Sequence, residues 1–524
     1  MHDIKQLHQQ AQVALNHGDF ATAQRLLITI LNQQPSFHDG YFLLGVIEAE
    51  LGQYTKAVSL IQKAISLHSS AEYYAHLAKC LAMQGLSNET FAAIQQAEKF
   101  DIKQALTIDT LGVALSRIGD HQKAIGYFER AISIKSKASF YYNLGSSQTF
   151  SGQFDNARQS YEKAIELEPL FYQAHSSLSH LGGISIDNNH IARLKSVFMK
   201  LSHPDAQLHI SHALARELEI VGQYQECFEY LEKAKQKKRA KLHYNFEQDR
   251  VLFNDLKTLF SQTEIQNKTN LNSSQSQPIF VVGMPRSGTT LIERVLTNNS
   301  IVKSAGELQE FGLALKQLTH TAGRYILDPD TIKAAANIDF AQLGRTYIDS
   351  LNAVVAPEQR FVDKMPLNVL YSGFIAKSLP KSKTVCVIRN PMDTVWGNYK
   401  QMFSLNDPYY NYSYDQSSIA QFYCEFVQLA EFWQSIFPNQ FKIVYYDEFV
   451  KQPEIIGKQV VEFCDLEFEL DMLDITQNKS AVATASSVQV RSKINTKSLG
   501  QWRRFEPYLK AAKSVFDKNS IKVF

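Results

Sequence analysis

Residues 278–296 read PIFVVGMPRSGTTLIERVL, and this stretch decides how the second half of the chain is interpreted. The apolar and β-branched run 279–282 predicts a short strand buried on both faces, as in the centre of a parallel sheet. A loop with two glycines five residues apart follows, and apolar positions at helical spacing begin at Leu291. The stretch therefore predicts a buried strand, a glycine loop and the N-terminus of a helix.

A loop of this kind favours the binding of an anion. Its backbone N–H groups point inward above the positive end of a helix dipole, which suits phosphate or sulfate. The spacing fits the nucleotide-binding pattern GxxxxGK[ST] except that Thr289 stands where that pattern has Lys, and Arg286 is a replacement cation inside the loop. The missing Lys argues against hydrolysis of ATP or GTP. The alternative is a glycine turn that only joins a strand to a helix.

Length and composition limit the remaining possibilities. A chain of 524 residues suggests about three domain-sized units, and a net charge of +2 gives little support to nucleic-acid binding. Five scattered cysteines without CxxC spacing indicate neither a disulfide framework nor a zinc site, and no His/Asp cluster with ligand spacing suggests another metal. The polar N-terminus and the absence of a membrane-length apolar run lead us to expect a cytoplasmic protein without a membrane span.

Glycines recur through the first half of the chain with a nearly constant step. Gly18, Gly52, Gly85, Gly119 and Gly152 are 34, 33, 34 and 33 residues apart, and Gly222 follows after 70. A second small-residue series keeps the same step: Gly45, Ala78, Gly112 and Gly145. Small residues at these places let paired helices approach closely. The pattern resembles the tetratricopeptide repeat (TPR) over about residues 3–235, with a weaker segment at 185–210.

The TPR resemblance implies a protein or peptide partner on the concave face of the array. The alternative is that the array only caps or dimerises the second domain. The basic run at 233–241 has two interpretations, a basic binding stripe and a solvated helix face, and the second is the more typical of such runs. We expect the array to occupy residues 1–243, a connecting helix and polar linker 244–277, and a third region 278–524.

From residue 278 onward, short apolar runs alternate with helical patterns. The strand candidates lie around Phe361, at 383–391 and at 441–449. This alternation predicts a parallel sheet covered by helices, with ligands at the carboxyl ends of the strands. The predicted fold class is therefore α + α/β: an N-terminal TPR-type α-solenoid followed by a P-loop-like α/β domain with a parallel sheet.

Three segments of this region resemble the sulfotransferases that use 3′-phosphoadenosine 5′-phosphosulfate (PAPS), and among them the tyrosylprotein sulfotransferases. PRSGTTL at 285–291 resembles their 5′-phosphosulfate loop, and RNPMD at 389–393 resembles their 3′-phosphate motif. The segment 484–508 matches their frame of Ser486, Gln489, Asn495, Leu499 and Trp502. The three occur in the family's order and spacing across residues 278–508.

The resemblance implies a role for each matching residue. Glu307, 21 residues after Arg286, matches the catalytic base, while Lys364 and Ser486 match the groups that stabilise the sulfuryl oxygens. PAPS is the implied co-substrate, with no metal. The implied donor-binding residues are Pro285, Arg286, Ser287, Gly288, Thr289, Thr290, Arg389, Tyr446, Ser486 and Arg491.

The chain departs from the family pattern at two places. Gly397 stands where the family has Ser, for which Asn398 or Thr394 is a candidate replacement. Gln501 stands where a basic residue precedes the Trp, and Arg503, Arg491 or Lys497 would then supply the charge. Both departures touch the 3′-phosphate side or its lid.

The expected function is transfer of a sulfuryl group from PAPS to a hydroxyl, with a protein or peptide tyrosine favoured as acceptor. A glycan, lipid or small alcohol acceptor is the alternative within this class. A TPR scaffold whose second domain binds a nucleotide without turnover is an alternative from another class, and Thr289 disfavours a kinase.

Overall fold

The computed structural model describes residues 4–262, 265, 277–322, 326–351, 360–405, 407–477 and 493–523. The chain divides into two compact units, Met1–Val221 and Gly222–Phe524. The predicted boundaries at 243 and 277 stay a prediction, and most of the expected linker, 266–276, lies outside the described residues. The contacts group the helix Tyr224–Arg239 with the second unit.

The first unit is a series of helices joined by tight turns. Buried apolar side chains form one continuous cluster from Leu7 to Leu144. The helices of this unit are Ile4–Asn16, Phe20–Gln33, His38–Glu50, Tyr54–Leu67, Ala71–Met83, Ser87–Ala97, Ala105–Arg117, His121–Ile134, Ala138–Phe150, Phe154–Leu167, Tyr172–His180, Ile191–Lys200 and Pro204–Ile220.

The two series of small residues are required for different structural reasons, one for close helix packing and the other for the backbone conformation of the turns. A Cβ at Gly112 would lie 2.7 Å from the Phe128 ring, and one at Gly145 would lie 2.8 Å from the Tyr161 ring, so these positions confirm the predicted close approach of paired helices. Gly52, at a turn, has open space around it but a φ of +78°, which favours glycine. The repeated turn and the repeated contact together produce the helical array.

The second unit is built on a five-stranded sheet whose neighbouring strands are all parallel, in the order β2-β3-β1-β4-β5. The strands are β1 (Ile279–Gly283), β2 (Val302–Gly306), β3 (Arg360–Asp363), β4 (Lys383–Ile388) and β5 (Phe441–Tyr445). The predicted parallel sheet is therefore confirmed. Strand β2 lies at the sheet edge, and its sequence VKSAG has too few apolar residues to indicate a strand.

Helices cover both faces of this sheet. Ile279 and Val281 pack with Val295, Val385 and Phe449 on one face. The ring of Phe280, which points to the other face, lies 5.8 Å from that of Tyr347. The helices are Tyr224–Arg239, Glu247–Ser261, Thr289–Thr297, Glu310–Thr319, Pro329–Ala335, Phe340–Ser350, Ser372–Ser378, Pro391–Tyr399, Gln416–Ile436, Tyr446–Lys451, Pro453–Phe463 and Lys510–Lys518, with 3₁₀ turns at Pro366–Tyr371, Pro408–Tyr414, Leu470–Leu473, Ile475–Gln477 and Gln501–Tyr508.

The helix Tyr224–Arg239 contains the basic run that the sequence predicted to be a solvated face, and this prediction is wrong in part. Its basic run is not simply a solvated face, because Lys235 is 1 % exposed. The Lys235 ammonium donates to the carbonyl oxygen of Ser413 at 3.0 Å and lies 5.0 Å from the ring centroid of Tyr399 and 5.2 Å from that of Tyr414. This lysine therefore fastens the helix to the rest of the second unit. Among the described residues, none of the helices has the length and apolarity needed to cross a membrane.

Candidate functional site

The candidate site lies along the edge of the sheet where all five strands end. The glycine loop follows β1, and Glu307, Lys364, Arg389 and Tyr446 are the first residues after β2, β3, β4 and β5. Parallel strands bring their carboxyl ends to one edge. The strand order then places Lys364 and Glu307 on one side of the central loop and Arg389 and Tyr446 on the other.

Side chains from outside the loop donate hydrogen bonds to its backbone carbonyls. Asn398 donates its side-chain amide to the Pro285 carbonyl at 2.7 Å, and Arg389 Nη1 donates to the Arg286 carbonyl at 3.3 Å. Arg286 has a φ of +67°, which is uncommon for a residue with a side chain. A network of contacts is needed to keep such a backbone conformation.

Two further features of the loop fit a bound anion. Gly288, the residue before the helix Thr289–Thr297, has a φ of +106°, and a Cβ on it would overlap the Tyr446 ring. The Ser287 hydroxyl is buried and has no hydrogen-bond partner in the part of the chain that the structure describes. A buried hydroxyl without a partner is costly unless a ligand supplies one. The loop therefore has the free hydroxyl donor and the helix N-terminus that an anion requires.

Arg389 adds a guanidinium beside the loop. It donates to the Ser498 carbonyl, lies 4.8 Å from the ring centroid of Tyr446 and is 3.8 Å from Asp393. Its Nε is buried without a hydrogen-bond partner among the described residues. Burial and the positive charge of Arg389 lower the pKa of the Arg286 guanidinium. Two arginines placed together in this way are stabilised by an anion between them.

Lys364 and Glu307, which were each predicted as catalytic residues, form an ion pair. The Lys364 side chain is 2 % exposed whereas that of Glu307 is 43 % exposed, so the carboxylate faces solvent and the ammonium lies beneath it. Lys364 is also 4.0 Å from Glu293, which accepts a hydrogen bond from the Ser304 hydroxyl at 2.6 Å. This links the pair to the helix that the glycine loop begins.

The end of strand β3 is fixed by a buried carboxyl group next to Lys364. The hydroxyl of Tyr347 donates to Asp363 at 2.8 Å, and the Asn368 amide donates to the same oxygen at 3.4 Å. Burial raises the pKa of Asp363 to about 8. The charged form of Asp363 is therefore less favoured than that of an ordinary aspartate.

A narrow apolar cleft lies beside Glu307. Its lining includes Leu308, Met365, Tyr371 and Tyr410. The pKa of Tyr410 is raised by burial, by the charge of Asp407 and, third, by the charge of Glu307. The Glu307 carboxylate is therefore near the cleft. The cleft therefore offers a mainly apolar, partly aromatic space next to the candidate base, with Gln309, Asn368 and Asp407 as its polar lining.

The segment before Trp502 covers Arg389 and Tyr446. Ser498 shares a hydrogen bond of 2.9 Å between its hydroxyl and that of Tyr446. Asp393 accepts the backbone N–H groups of Gly500 at 2.7 Å and Trp502 at 3.2 Å. The predicted residues Ser486 and Arg491 lie outside the described residues, as does Gln489.

The candidate replacements for the hydroxyl missing at Gly397 have other partners. Thr394 donates to the Asn390 carbonyl at 3.0 Å, and Asn398 is fully buried against the loop. Gln501 donates to the Lys497 carbonyl at 3.1 Å on the exposed outside of its turn. Asn398 thus positions the loop, a role that the sequence did not reveal.

Glu293 is the other residue that the sequence analysis missed. It lies four residues after Thr289 and so on the same helix face, close to the loop. This spacing was the only indication in the sequence that Glu293 lies near the loop. It was overlooked because a Glu within a helix does not by itself indicate a functional site. Across the described ranges, no group of three or more His, Cys, Asp and Glu side chains is arranged to hold a metal ion.

Comparisons with known proteins match the two parts of the chain to different families. The model of the sulfotransferase family matches residues 278–470, and tetratricopeptide-repeat models match residues 8–73, 105–137 and 138–169. An uncharacterized protein of Aquifex aeolicus is 30% identical over 301 residues, which are 56% of this chain and 39% of that protein. The chain therefore matches well under half the length of that relative.

Other similar proteins correspond to one half of the chain each. A Caenorhabditis briggsae protein named "Putative protein-tyrosine sulfotransferase" is 28% identical over 237 residues, covering 44% of this chain and 82% of that protein. A TPR protein of Thermus thermophilus is 15% identical over 34% of this chain and 98% of its own, with a TM-score of 0.32. The chain is therefore built from tetratricopeptide repeats followed by a domain of the sulfotransferase family.

Proposed function

We propose that this protein transfers a sulfuryl group from PAPS to a hydroxyl acceptor, most specifically the phenol of a tyrosine in a protein or peptide. The observation that carries the proposal is the single sheet edge at which the glycine loop, Arg389, Lys364 and Glu307 follow the ends of neighbouring strands. The sulfotransferase match over 278–470 supports the reaction class. The name of the C. briggsae relative supports tyrosine as acceptor.

The residues at the sheet edge fit a donor that carries several negative charges. The partnerless Ser287 hydroxyl and the partnerless Nε of Arg389 are donors that such a molecule would use. We assign its 5′-phosphosulfate to the loop 285–290 and its 3′-phosphate side to Arg389 with Tyr446. Ser486 and Arg491, outside the described residues, are proposed to complete this side.

PAPS would supply an activated sulfuryl group with a good leaving group. The protein would orient the acceptor and remove its proton. Glu307 would accept the proton of the attacking hydroxyl, because an ordinary phenol with a pKa of about 10 needs a positioned base. Lys364, buried beneath Glu307, would balance negative charge on the transferring oxygens, with Ser486 as a further donor.

The cleft beside Glu307 favours a phenol over a sugar hydroxyl. The lining is mainly apolar, as at Leu308 and Met365, and a sugar ring carries several hydroxyl groups that would lose water against such side chains. The polar members of the lining are Gln309, Asn368 and Asp407. Tyr371 and Tyr410 add aromatic surface that suits another ring. We therefore assign the ring of the acceptor tyrosine to the apolar part of this cleft, beside the Glu307 carboxylate.

A titration of the full chain with adenosine 3′,5′-bisphosphate and with ATP tests the donor site. We expect the bisphosphate to bind and ATP to bind much more weakly, because Thr289 replaces the lysine that ATP sites use. Arg389→Lys should weaken bisphosphate binding about 10- to 100-fold, the usual worth of a charged hydrogen bond. Arg345→Lys, on the helix Phe340–Ser350, is the matched control. Preference for ATP would contradict the assignment.

Turnover of labelled PAPS tests the role of Glu307. With acceptor present, Glu307→Gln should lower kcat about 10²- to 10⁴-fold while bisphosphate affinity changes little, because general-base catalysis contributes on that order. The exposed Glu469→Gln provides the control. Equal rates for wild type and Glu307→Gln would exclude Glu307 as the base. Bisphosphate binding without any turnover would instead favour a non-catalytic nucleotide-binding domain.

We also propose that the array binds a protein or peptide partner on its concave face, a use that TPR arrays commonly have. The tetratricopeptide matches support this role. Photo-crosslinkers placed along the concave face should capture the partner from a host lysate. Capture only from the opposite face would contradict the proposal.

A further inference from the structure

A second, wider cavity of about 820 Å³ lies elsewhere in the second unit. One part of its wall consists of Tyr244, Val251 and Leu252, which belong to or precede the helix Glu247–Ser261. Another part consists of Leu405, Tyr409 and Asn411. Tyr244, Val251 and Leu252 come before residue 278, where the match to the sulfotransferase family begins. The wall of the cavity is therefore formed partly by residues within the match to the sulfotransferase family and partly by residues that precede it.

This wide cavity and the narrow cleft beside Glu307 meet at Tyr409, which lines both. The Tyr409 hydroxyl accepts the backbone N–H of Leu327 at 2.8 Å, so the side chain is fixed between the two spaces. Ile326 lines the narrow cleft and its neighbour Leu327 lines the wide cavity. A ligand that reached from Glu307 into the wide cavity would therefore pass beside Tyr409.

The carboxylates of the wide cavity already have partners within the protein. The Tyr244 hydroxyl donates to Asp249 at 2.5 Å, and the ammonium of Lys316 donates to Asp328 at 2.9 Å. Val251, in contrast, exposes 47 % of its surface. Amide side chains of Gln248 and Asn411 contribute to the same wall.

This mixture of amides and apolar surface discriminates between the possible occupants. An acyl chain would leave the amides and the exposed charge of Lys241 without water, which is costly. An oligosaccharide would have to place a sugar ring in the apolar cleft beside Glu307. A peptide presents both amide groups and apolar side chains, and a cavity of this volume lies within the range of about 300–1,000 Å³ that ligand sites occupy.

We infer, resting on the proposed function, that the wide cavity binds the residues that flank the acceptor tyrosine of a peptide, while the tyrosine ring occupies the narrow cleft. The helix Glu247–Ser261 then forms part of the acceptor site. The segment that follows the repeats would select extended acceptors over isolated phenols.

Selectivity between two acceptors tests this inference. The probes are tyramine and the nonapeptide Ala-Ser-Ala-Ser-Tyr-Ser-Ala-Ser-Ala, each assayed with labelled PAPS and the full chain. Wild type should show a higher kcat/KM for the nonapeptide than for tyramine. Val251→Trp fills the wide cavity from an exposed position, and we expect it to lower the ratio of the two kcat/KM values at least fivefold through the KM of the peptide.

The matched control is Ile455→Trp, since Ile455 is 58 % exposed on the helix Pro453–Phe463 and does not line the cavity. It should keep the wild-type ratio. An unchanged ratio in Val251→Trp, or wild-type turnover of tyramine as efficient as that of the peptide, would overturn the inference and leave the proposed function intact. Wild type that binds adenosine 3′,5′-bisphosphate but sulfates neither probe would overturn the tyrosine assignment and the inference with it.

Discussion

Gly397 shows how one residue adapts the site to its loop. A Cβ at this position would lie 3.1 Å from Cβ of Arg286, closer than side chains normally pack. Arg286 cannot easily retreat, because its carbonyl is bound by Arg389 and the neighbouring Pro285 carbonyl by Asn398. The absence of a side chain at 397 thus accommodates the arginine of the loop, which is a structural reason for this departure from the family pattern.

Restoring a side chain at position 397 should impair the proposed donor site. We expect Gly397→Ser and Gly397→Ala to weaken adenosine 3′,5′-bisphosphate binding by about fivefold or more, because overpacking typically costs about 1–3 kcal/mol. Isothermal titration calorimetry measures the change. The Ala variant serves as the control for bulk alone. Tighter binding by Ser together with weaker binding by Ala would show that the missing hydroxyl, rather than the space, matters.

At the scale of the element, the turn from β1 into the helix Thr289–Thr297 depends on Gly288. Its φ of +106° suits glycine, and the Tyr446 ring occupies the place that a Cβ would take. The ring in turn lies against the guanidinium of Arg389. Loop, tyrosine and arginine are therefore packed as one element.

Gly288→Ala should both unfold the second unit more easily and weaken bisphosphate binding. We expect a loss of about 1–3 kcal/mol in the free energy of unfolding, from backbone strain and the displaced ring. Urea denaturation followed by tryptophan fluorescence reports on this unit, because Trp396, Trp433 and Trp502 all lie in it.

The matched change for Gly288→Ala is Gly126→Ala. Gly126 lies within the helix His121–Ile134, and a Cβ there would meet nothing within 4 Å. This variant should stabilise the first unit by about 0.5–1 kcal/mol, since Ala is the better helix residue. Its unfolding is followed by circular dichroism. A Gly288→Ala protein as stable as wild type would contradict the packing of this element.

The sequence was informative where a pattern repeats or a motif is local. The glycine period predicted the array, and the apolar runs predicted strands β1, β3, β4 and β5. Strand β2 escaped notice because only Val302 among its five residues is a large apolar residue, whereas the other edge strand, β5, has the apolar sequence FKIVY. The roles of Asn398 and Glu293 depend on contacts with residues distant in the sequence. Such contacts cannot be predicted from a single sequence. Ser486 and Arg491 stay predictions.

At the scale of the whole molecule, the helix Tyr224–Arg239 has a dual character. Its turn sequence continues the repeat pattern, yet its side chains pack within the second unit. Tyr399 donates its hydroxyl to Glu232, and the same ring lies beneath Lys235. Burial lowers the pKa of Lys235 to about 7. The helix is therefore attached through a group that titrates near neutral pH.

This titration predicts a pH-dependent stability. In the unfolded chain an ordinary lysine keeps its proton up to about pH 10.4, so between pH 7 and that value the unfolded state binds more protons. The contribution of Lys235 to stability should therefore rise with pH across this range and be constant below it. The free energy of unfolding of Lys235→Met minus that of wild type should therefore be highest near pH 7 and should fall as the pH rises towards 10.

Urea denaturation at pH 7, 8, 9 and 10 measures this difference. Lys237→Met, on the exposed side of the same helix, should leave the difference from wild type independent of pH. If Lys235→Met behaved as Lys237→Met does, the lysine would keep its ordinary pKa in the folded protein.

The parallel arrangement of the strands has a consequence for assembly during synthesis. The loop at 284–288 is synthesised about 160 residues before Tyr446, which packs on Gly288 and directly follows strand β5. Contacts this far apart along a chain form slowly. A nascent or truncated polypeptide that ends before Tyr446 would therefore lack a complete form of the proposed donor site, and we expect immobilised adenosine 3′,5′-bisphosphate to capture only molecules that extend beyond Tyr446.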